Sequence, residues 1–433
     1  YLREYAKYCN LNIRLNTRIS HISKKEHFEL HDQQGNLYSS RYLVVATGTW
    51  LPYLPEIEGI ELAEHYIDFE VNPEDYTDQR VLILGKGNSG FETADVLTGT
   101  AQVIHLSSPH SIQMAWKTHF FGDLRAVNNN FLDTYILKGQ NSVLDADIEK
   151  IEKCNGEYRV HVQFPRAKGQ KAILAYDRVL ACTGFRFDDS IFDDNCRPEM
   201  VIRNKLPAMN SAWESINQEG LYFAGTIMQM RDFHKTTSNV IHGFRFNTKA
   251  LSQILAYNFH DTPLPFDELD QTPKSLAVEL ISRISKATEI FLQPGFLCDV
   301  VIIDKPSGKA QYYTGLPVEY VHNSALGECK HYYMITMEYG TIEGDPFSIP
   351  RDPDPEKSYL DVYLHPIIRR FSQGERLSEH HIPEHLENDW RDGISPGVNE
   401  LIQSWEYIGE DNPEDYKRVY TRDLLHYLEH DLI

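Results

Sequence analysis

Short apolar runs, each closed by a glycine or another small residue, recur along the first 260 positions. Residues 42–46 (YLVVA) run into Thr47-Gly48, residues 80–84 (RVLIL) into Gly85, residues 178–181 (RVLA) into Cys182-Thr183-Gly184, and residues 221–224 (LYFA) into Gly225. Unbroken apolar runs of this length, bounded by turn residues, read as strands buried on both faces. Residues 102–106 (QVIHL) form another. A predicted helix separates residues 80–84 from 102–106, and strand–turn–helix–strand is a βαβ unit, hence a parallel sheet. A helix over residues 1–10 and a hairpin over 28–37, turning at Gln34-Gly35-Asn36, precede this core. Residues 158–164 (YRVHVQF) alternate as a half-exposed strand, and a helix is predicted over 239–257.

After Pro263 and Pro265 the pattern changes. Leu276, Leu280, Ile284, Ala287 and Phe291 fall at helical spacing, which predicts a helix over 275–291. Residues 298–303 and 310–314 flank Pro306-Ser307-Gly308 as a hairpin, and 331–338 (HYYMITME) reads as a strand. A loop rich in Pro and Asp covers 344–356, and helices are expected after Pro413. The predicted class is therefore α/β: two Rossmann-like folds with an additional C-terminal α+β domain. The expected division is residues 1–78 and 178–258 as two parts of one Rossmann-like domain, 79–177 as a second, and 259–433 as the α+β domain.

Composition adds exclusions. The 433 residues are 41% hydrophobic and 24% charged, ordinary for a globular protein, and the formal net charge is -21. A field of that sign disfavours nucleic acid and anionic membrane surfaces as partners. No apolar run approaches the ~18 residues of a membrane span. The six cysteines, Cys9, Cys154, Cys182, Cys196, Cys298 and Cys329, contain no C-x-x-C. That disfavours a disulfide scaffold, a zinc site and a dithiol redox centre; no metal is expected.

The sharpest chemical signal is VLILGKGNSGFE at residues 81–92. Gly85, Gly87 and Gly90 form G-x-G-x-x-G between a strand and a helix, the context that makes this motif specific. Gly85 permits the tight turn, Gly87 lets the backbone approach a pyrophosphate, and Gly90 lets the helix pack on the strand. Asn88 and Ser89 complete the predicted dinucleotide turn at the helix N-terminus. An NAD-specific fold places an acid at the end of the second strand, to bind the ribose 2′-OH. Ser107 and Ser108 stand there instead, which favours NADPH; His110, Lys86 and Lys117 are the nearby cations for a 2′-phosphate.

Two strand endings are near-copies: Ala46-Thr47-Gly48 and Cys182-Thr183-Gly184. A chain that leaves one Rossmann fold, crosses a second and returns makes two such hinges. GLYFAGT at residues 220–226, then IHGFRF at 241–246, place Gly225, Thr226, His242 and Gly243 beside a helix N-terminus, an arrangement suited to a flavin.

The order of an ATG hinge, GxGNSG, a second hinge and AGT resembles flavin-containing monooxygenases and related two-dinucleotide flavoproteins. GKGNSGFETA (85–94), THFFGDLRAVNNNFLDTY (118–135), VIHGFRF (240–246), MEYG (337–340) and YLHPII (363–368) are similar to the family of FAD-dependent oxidoreductase domain-containing protein 2, the ER flavoprotein associated with degradation. That resemblance covers essentially the whole chain. It implies a two-dinucleotide-binding flavoprotein with FAD and NADP as cofactors, residues 1–78 and 178–258 forming the FAD-binding domain and 79–177 the NAD(P)H-binding domain, and an association with ER-associated degradation. The monooxygenase signature is degenerate here, retaining His65 and Phe69, and the terminal His430-Asp431-Leu432-Ile433 is not an ER-retention signal. Cytoplasm and ER lumen both stay open. With Tyr1 falling inside a predicted helix and only one glycine fingerprint present, half of the FAD fold is expected upstream of Tyr1, with weak FAD binding by these 433 residues.

His119 and Arg125, in the segment after the second strand, and Asp232 and His234, after the AGT strand, are the candidate catalytic residues; Lys235 stands beside them, and Arg125 is expected to pair with Asp123. Two functions follow. In the first, NADPH reduces FAD, which passes electrons to oxygen or a small-molecule acceptor. In the second, the flavoprotein fold is an adaptor whose C-terminal domain binds other proteins. The complete glycine turn favours the first, and the degenerate signature the second.

Overall fold

The computed structural model describes residues 2–391 except 71, 138, 305, 346–347, 351–354 and 386, together with 424 and 426–430. The chain forms two compact units: Tyr1–Tyr53 with Gly184–Arg231, and Leu54–Thr183 with Asp232–Ile433.

In the first unit a helix, Leu2–Tyr8, precedes the antiparallel strands Ile19–Lys24, Phe28–Asp32 and Leu37–Ser40. The hairpin turn sits where Gln34-Gly35-Asn36 predicts it, because the Asp32 carboxylate gathers the Gln34 and Asn36 backbone N–H groups, each at 2.9 Å. An Asx-type anchor of this kind fixes a turn through local hydrogen bonds. The hinge strand Leu43–Val45 lies parallel to Leu221–Phe223, as two strands feeding one nucleotide fold should.

The second unit holds the parallel sheet. Its order is Glu64–His65, Arg178–Ala181, Arg80–Leu84, Val103–Ser108, Ser142–Asp145, all parallel. The run RVLIL shows why it must be a central strand. Val81 and Ile83 pack with Phe91, Ala94 and Leu97 of the helix Asn88–Leu97. Leu82 and Leu84 point to the other face and pack with Val160, Val162 and Tyr176. Each of these side chains is at most 3% exposed, and burying one contributes roughly 1.5–3 kcal/mol. The second face is covered by a three-stranded antiparallel sheet, Asp147–Cys154, Glu157–Phe164 and Gln170–Tyr176. Sequence patterning picks out only its middle strand.

The C-terminal part of this unit is a six-stranded antiparallel sheet: Asp267–Asp270, Lys309–Pro317, Leu297–Asp304, Tyr332–Glu338, His365–Ser372, Glu375–His381. The expected helix over 275–291 is two helices, Pro273–Ile284 and Thr288–Leu292. The break is held by polar contacts. Arg283 reaches Glu289 at 2.8 Å and the fully buried Asp299 at 2.9 Å, and Ser285 Oγ accepts the Trp390 N–H at 2.9 Å. Phe291, predicted on the buried face, is exposed as a result. The preceding helix runs Ile241–His260. Of the helices expected after Pro413, residues 424 and 426–430 are helical and the rest lie outside the described residues.

Candidate dinucleotide site and cavity

The three motif glycines do three different things. Gly85 has φ +113°, its N–H donates to Ser107 O at 2.8 Å, and a Cβ there would lie 2.3 Å from Cys182 O. Only glycine satisfies both the left-handed backbone and that approach. A Cβ on Gly90 would lie 2.3 Å from Gly85 O, so the helix start closes directly on the turn. Gly87 differs. Its φ of -91° suits any residue, and a Cβ there meets nothing within 4 Å. Gly87 is also the N-cap of the ten-residue helix Asn88–Leu97 and supplies no side-chain cap. No side chain caps the first turn and the space beside Gly87 is open, an arrangement that accepts a phosphate.

Asn88 faces the protein rather than a ligand. Its Nδ2 donates to Gly122 O at 3.3 Å and Asp123 O at 2.8 Å, while Oδ1 accepts from Arg125 N and Asn128 Nδ2, each at 3.0 Å. This side chain ties the segment over 118–135 to the glycine turn. Ser89, half-buried, offers its carbonyl to Thr93 Oγ1 at 2.8 Å. Arg125 pairs with Glu92 at 3.4 Å, not with Asp123, whose carboxylate takes the Thr118 hydroxyl at 2.7 Å.

At the end of the second strand, Lys86 is unsuited to a 2′-phosphate: it is buried, paired with Asp145, and donates to Leu144 O at 3.1 Å. The cation at this edge is Arg166, which sequence reading missed because it arrives from the antiparallel sheet, 55 residues beyond Ser111. Its guanidinium contacts Ser111 Oγ and sits 3.2 Å from Asp145, with most of its surface exposed.

Two of the four candidate catalytic residues come together. His119 and His234 line one cavity of about 430 Å³ in the second unit, with Lys117, Lys235, Glu338 and Tyr339. The His119 ring stacks on Tyr339 at 4.0 Å and the His234 ring on Phe120 at 4.5 Å. Burial pulls the His119 imidazole below its usual range. Asp232 and Arg125 do not line this cavity. Asp232 is 3% exposed and belongs to a buried network absent from any motif. Thr236 Oγ1 contacts both the Asp232 carboxyl and Gln293 Oε1, while Gln293 Nε2 donates to Ser238 Oγ at 2.9 Å and Asn247 Oδ1 at 3.0 Å. One hydroxyl has one proton, so a protonated Asp232 donating to Thr236, which donates to Gln293, satisfies the chain. Burial pushes the Asp232 carboxyl up to about 6. Between about pH 4 and 6 the native state thus holds a proton that the unfolded chain has released, and this stabilisation is lost as pH rises through that window. Asp232→Asn should gain stability relative to the parent as pH rises, levelling near pH 7 at up to about 3 kcal/mol. Parallel stability–pH profiles of the two proteins would contradict this.

The residues assigned to the flavin divide between the units. Thr47, Gly48, Gly184, Gly225 and Thr226 belong to the first, Thr183, His242 and Gly243 to the second. A Cβ on Gly48 or Gly225 would meet nothing within 4 Å, so both strand ends leave room for a ligand. No G-x-G-x-x-G occurs among the first unit's residues. His242 is exposed in the first turn of the helix Ile241–His260. Gly243 is buried, and its Cβ would lie 2.3 Å from Thr237 O, so packing fixes glycine there. All six cysteines are free, with Cys182, Cys196 and Cys298 buried and the Cys182 thiol pushed up to about 12.

A family model described as pyridine nucleotide-disulphide oxidoreductase matches residues 1–225. FAD-dependent oxidoreductase domain-containing protein 2 of Mus musculus is 30% identical over 445 residues, covering 90% of this chain and 67% of that protein. The chain belongs to this family. The Danio rerio protein of the same name is 29% identical over 85% of this chain and 61% of its own length, so the chain spans about two thirds of the curated relatives it matches. Ferredoxin--NADP reductase 1 of Oceanobacillus iheyensis is 24% identical over 59% of this chain and 71% of its own length. As a member of the FAD-dependent oxidoreductase domain-containing protein 2 family, the chain carries MEYG at the end of the strand Tyr332–Glu338, where Glu338, Tyr339 and Gly340 line the cavity. YLHPII begins the strand His365–Ser372, whose Arg369 pairs with Glu338. Those two motifs, legible only as family resemblance in the sequence, thus support one wall of the cavity. No helix of the described residues is long and apolar enough to cross a membrane.

Proposed function

We propose that the chain is the body of an FAD- and NADPH-dependent oxidoreductase. What carries this reading is the open face of Gly87 at an uncapped helix N-terminus, with Gly85 and Gly90 closing the turn beneath it. The backbone N–H groups of this turn would hold the nicotinamide dinucleotide's pyrophosphate. Thr47, Gly48, Gly184, Gly225 and Thr226 are the first unit's residues assigned to FAD. When bound, FAD would take hydride from NADPH and pass electrons to oxygen or another acceptor. The fold's part in that chemistry is placement and electrostatics, and the hydride step asks no acid or base of it.

The preference for NADPH rests on Arg166 and on the name of the Oceanobacillus iheyensis relative, which couples its activity to NADP. An exposed guanidinium at the edge of the second strand is placed to form charge-assisted contacts with a 2′-phosphate. Against disulfide exchange stand a sequence without C-x-x-C and a Cys182 thiol that burial keeps protonated, since exchange requires a thiolate. Among the described residues the adaptor reading has no comparable site.

The test is titration calorimetry with 2′,5′-ADP against 5′-AMP, followed by flavin reduction with NADPH against NADH. 2′,5′-ADP should bind at least about tenfold more tightly, a difference of ~1.4 kcal/mol. Arg166→Ala should erase most of that difference and leave 5′-AMP binding unchanged. Equal affinities in the parent would remove the NADPH assignment, and no binding of either nucleotide would remove the dinucleotide site.

A further inference from the structure

The cavity that brings His119 and His234 together has a charge pattern which hydride transfer does not call for. Lys117 and Lys235 line it from two separate segments, and neither forms an ion pair among the described residues. Two carboxyls are near. Glu338 lines the cavity, but Arg369 takes it through one short contact and one of 3.1 Å, and Thr336 Oγ1 donates to it at 2.6 Å. Asp232 feels Lys235 electrostatically, but it is buried and its carboxyl is turned to Thr236. Among the described residues the two exposed ammonium groups therefore lack direct counter-ions, in a chain whose formal charge is -21.

Backbone geometry also marks the cavity. Both histidines sit in left-handed backbone, His119 at φ +56° and His234 at φ +60°. Strained non-glycine residues of this sort gather at binding sites, where the surroundings hold them. At about 430 Å³ the cavity lies in the lower part of the ~300–1,000 Å³ range of small-molecule sites. The stacked pair His119–Tyr339 gives it an aromatic wall.

We propose that this cavity binds a small organic anion carrying an aromatic or other planar body, with its acidic group between Lys117 and Lys235 and its body against His119 and Tyr339. The site is separate from the glycine turn and does not depend on the assignment of NADPH to that turn.

The experiment is a fluorescence titration of the whole chain with 1-anilinonaphthalene-8-sulfonate, an aromatic anion of suitable size, alongside its uncharged analogue N-phenyl-1-naphthylamine. The sulfonate should fill one saturable site. The double variant Lys117→Ala, Lys235→Ala should weaken it at least tenfold and leave the uncharged analogue unaffected. The double variant Lys117→Arg, Lys235→Arg should restore it to within threefold, which separates lost charge from lost folding. Saturating NADPH should leave the titration unchanged. Unaltered sulfonate affinity in the alanine variant, absence of a saturable site, failure of the arginine variant to restore binding, or displacement by NADPH would each overturn the proposal.

Discussion

Gly87→Val should abolish NADPH binding while the protein still folds. The backbone at Gly87, φ -91° and ψ -174°, is open to any residue, and the new side chain would meet no protein atom within 4 Å of its Cβ. The folding cost is that of a β-branched residue at an N-cap, about 1 kcal/mol, which lowers Tm by only a few degrees. The binding cost is far larger. The space the valine fills is the space a pyrophosphate needs to reach the first-turn N–H groups, so several charge-assisted hydrogen bonds go at once. A loss of at least 100-fold, ~2.7 kcal/mol, is expected by calorimetric titration with NADPH. Undiminished affinity in a folded variant would sink the assignment of this turn.

The same change at Gly243 should do the opposite, removing the fold before it touches a ligand. Gly243 opens the helix Ile241–His260, and its Cβ would stand 2.3 Å from Thr237 O, 2.4 Å from Thr237 C and 2.5 Å from Thr237 Oγ1. Two of those three atoms are backbone and cannot swing aside. Thr237 Oγ1 also donates to Leu292 O at 2.7 Å, next to the Gln293 network, so displacing Thr237 loosens the buried polar cluster around Asp232. Overpacking of a close-packed site costs about 1–3 kcal/mol, and unsatisfied buried polar groups add about 1–3 more. Gly243→Val should therefore lose on the order of 3 kcal/mol or more in urea denaturation. A midpoint unchanged from the parent would show that the helix start has room the geometry denies it.

Strands buried on both faces were legible because their patterns are local. RVLIL and RVLA need no knowledge of what covers them, and both emerge as strands over the residues read from sequence. The glycine turn was legible for the same reason. What stayed hidden depends on distant partners. The strand Asp147–Cys154 (DIEKIEKC) carries charge on its outer face and buries mainly Ile151, so its apolar signal is too thin to read. The strands His365–Ser372 and Glu375–His381 are crossed by Arg369 and Glu379, which pair with each other. The helix over 275–291 breaks because Arg283 serves carboxylates 6 and 16 residues away, a demand that periodicity does not record. Arg166 and Gln293 escaped for the same cause: each gains its place only when the chain returns to a strand end or helix start far from it in sequence. Arg125 was misassigned to Asp123 because proximity in sequence stood in for proximity in space.

The fourfold-bonded Asn88 makes a convenient sensor. Its Oδ1 receives the backbone N–H of Arg125, and the residue itself is the first of the helix that begins at the glycine turn. Any ligand that draws on this helix start pulls on Asn88, and through it on the amide proton of Arg125. The chemical shift and hydrogen-exchange rate of that one amide should therefore report occupancy of the turn in real time, without a labelled nucleotide and without turnover.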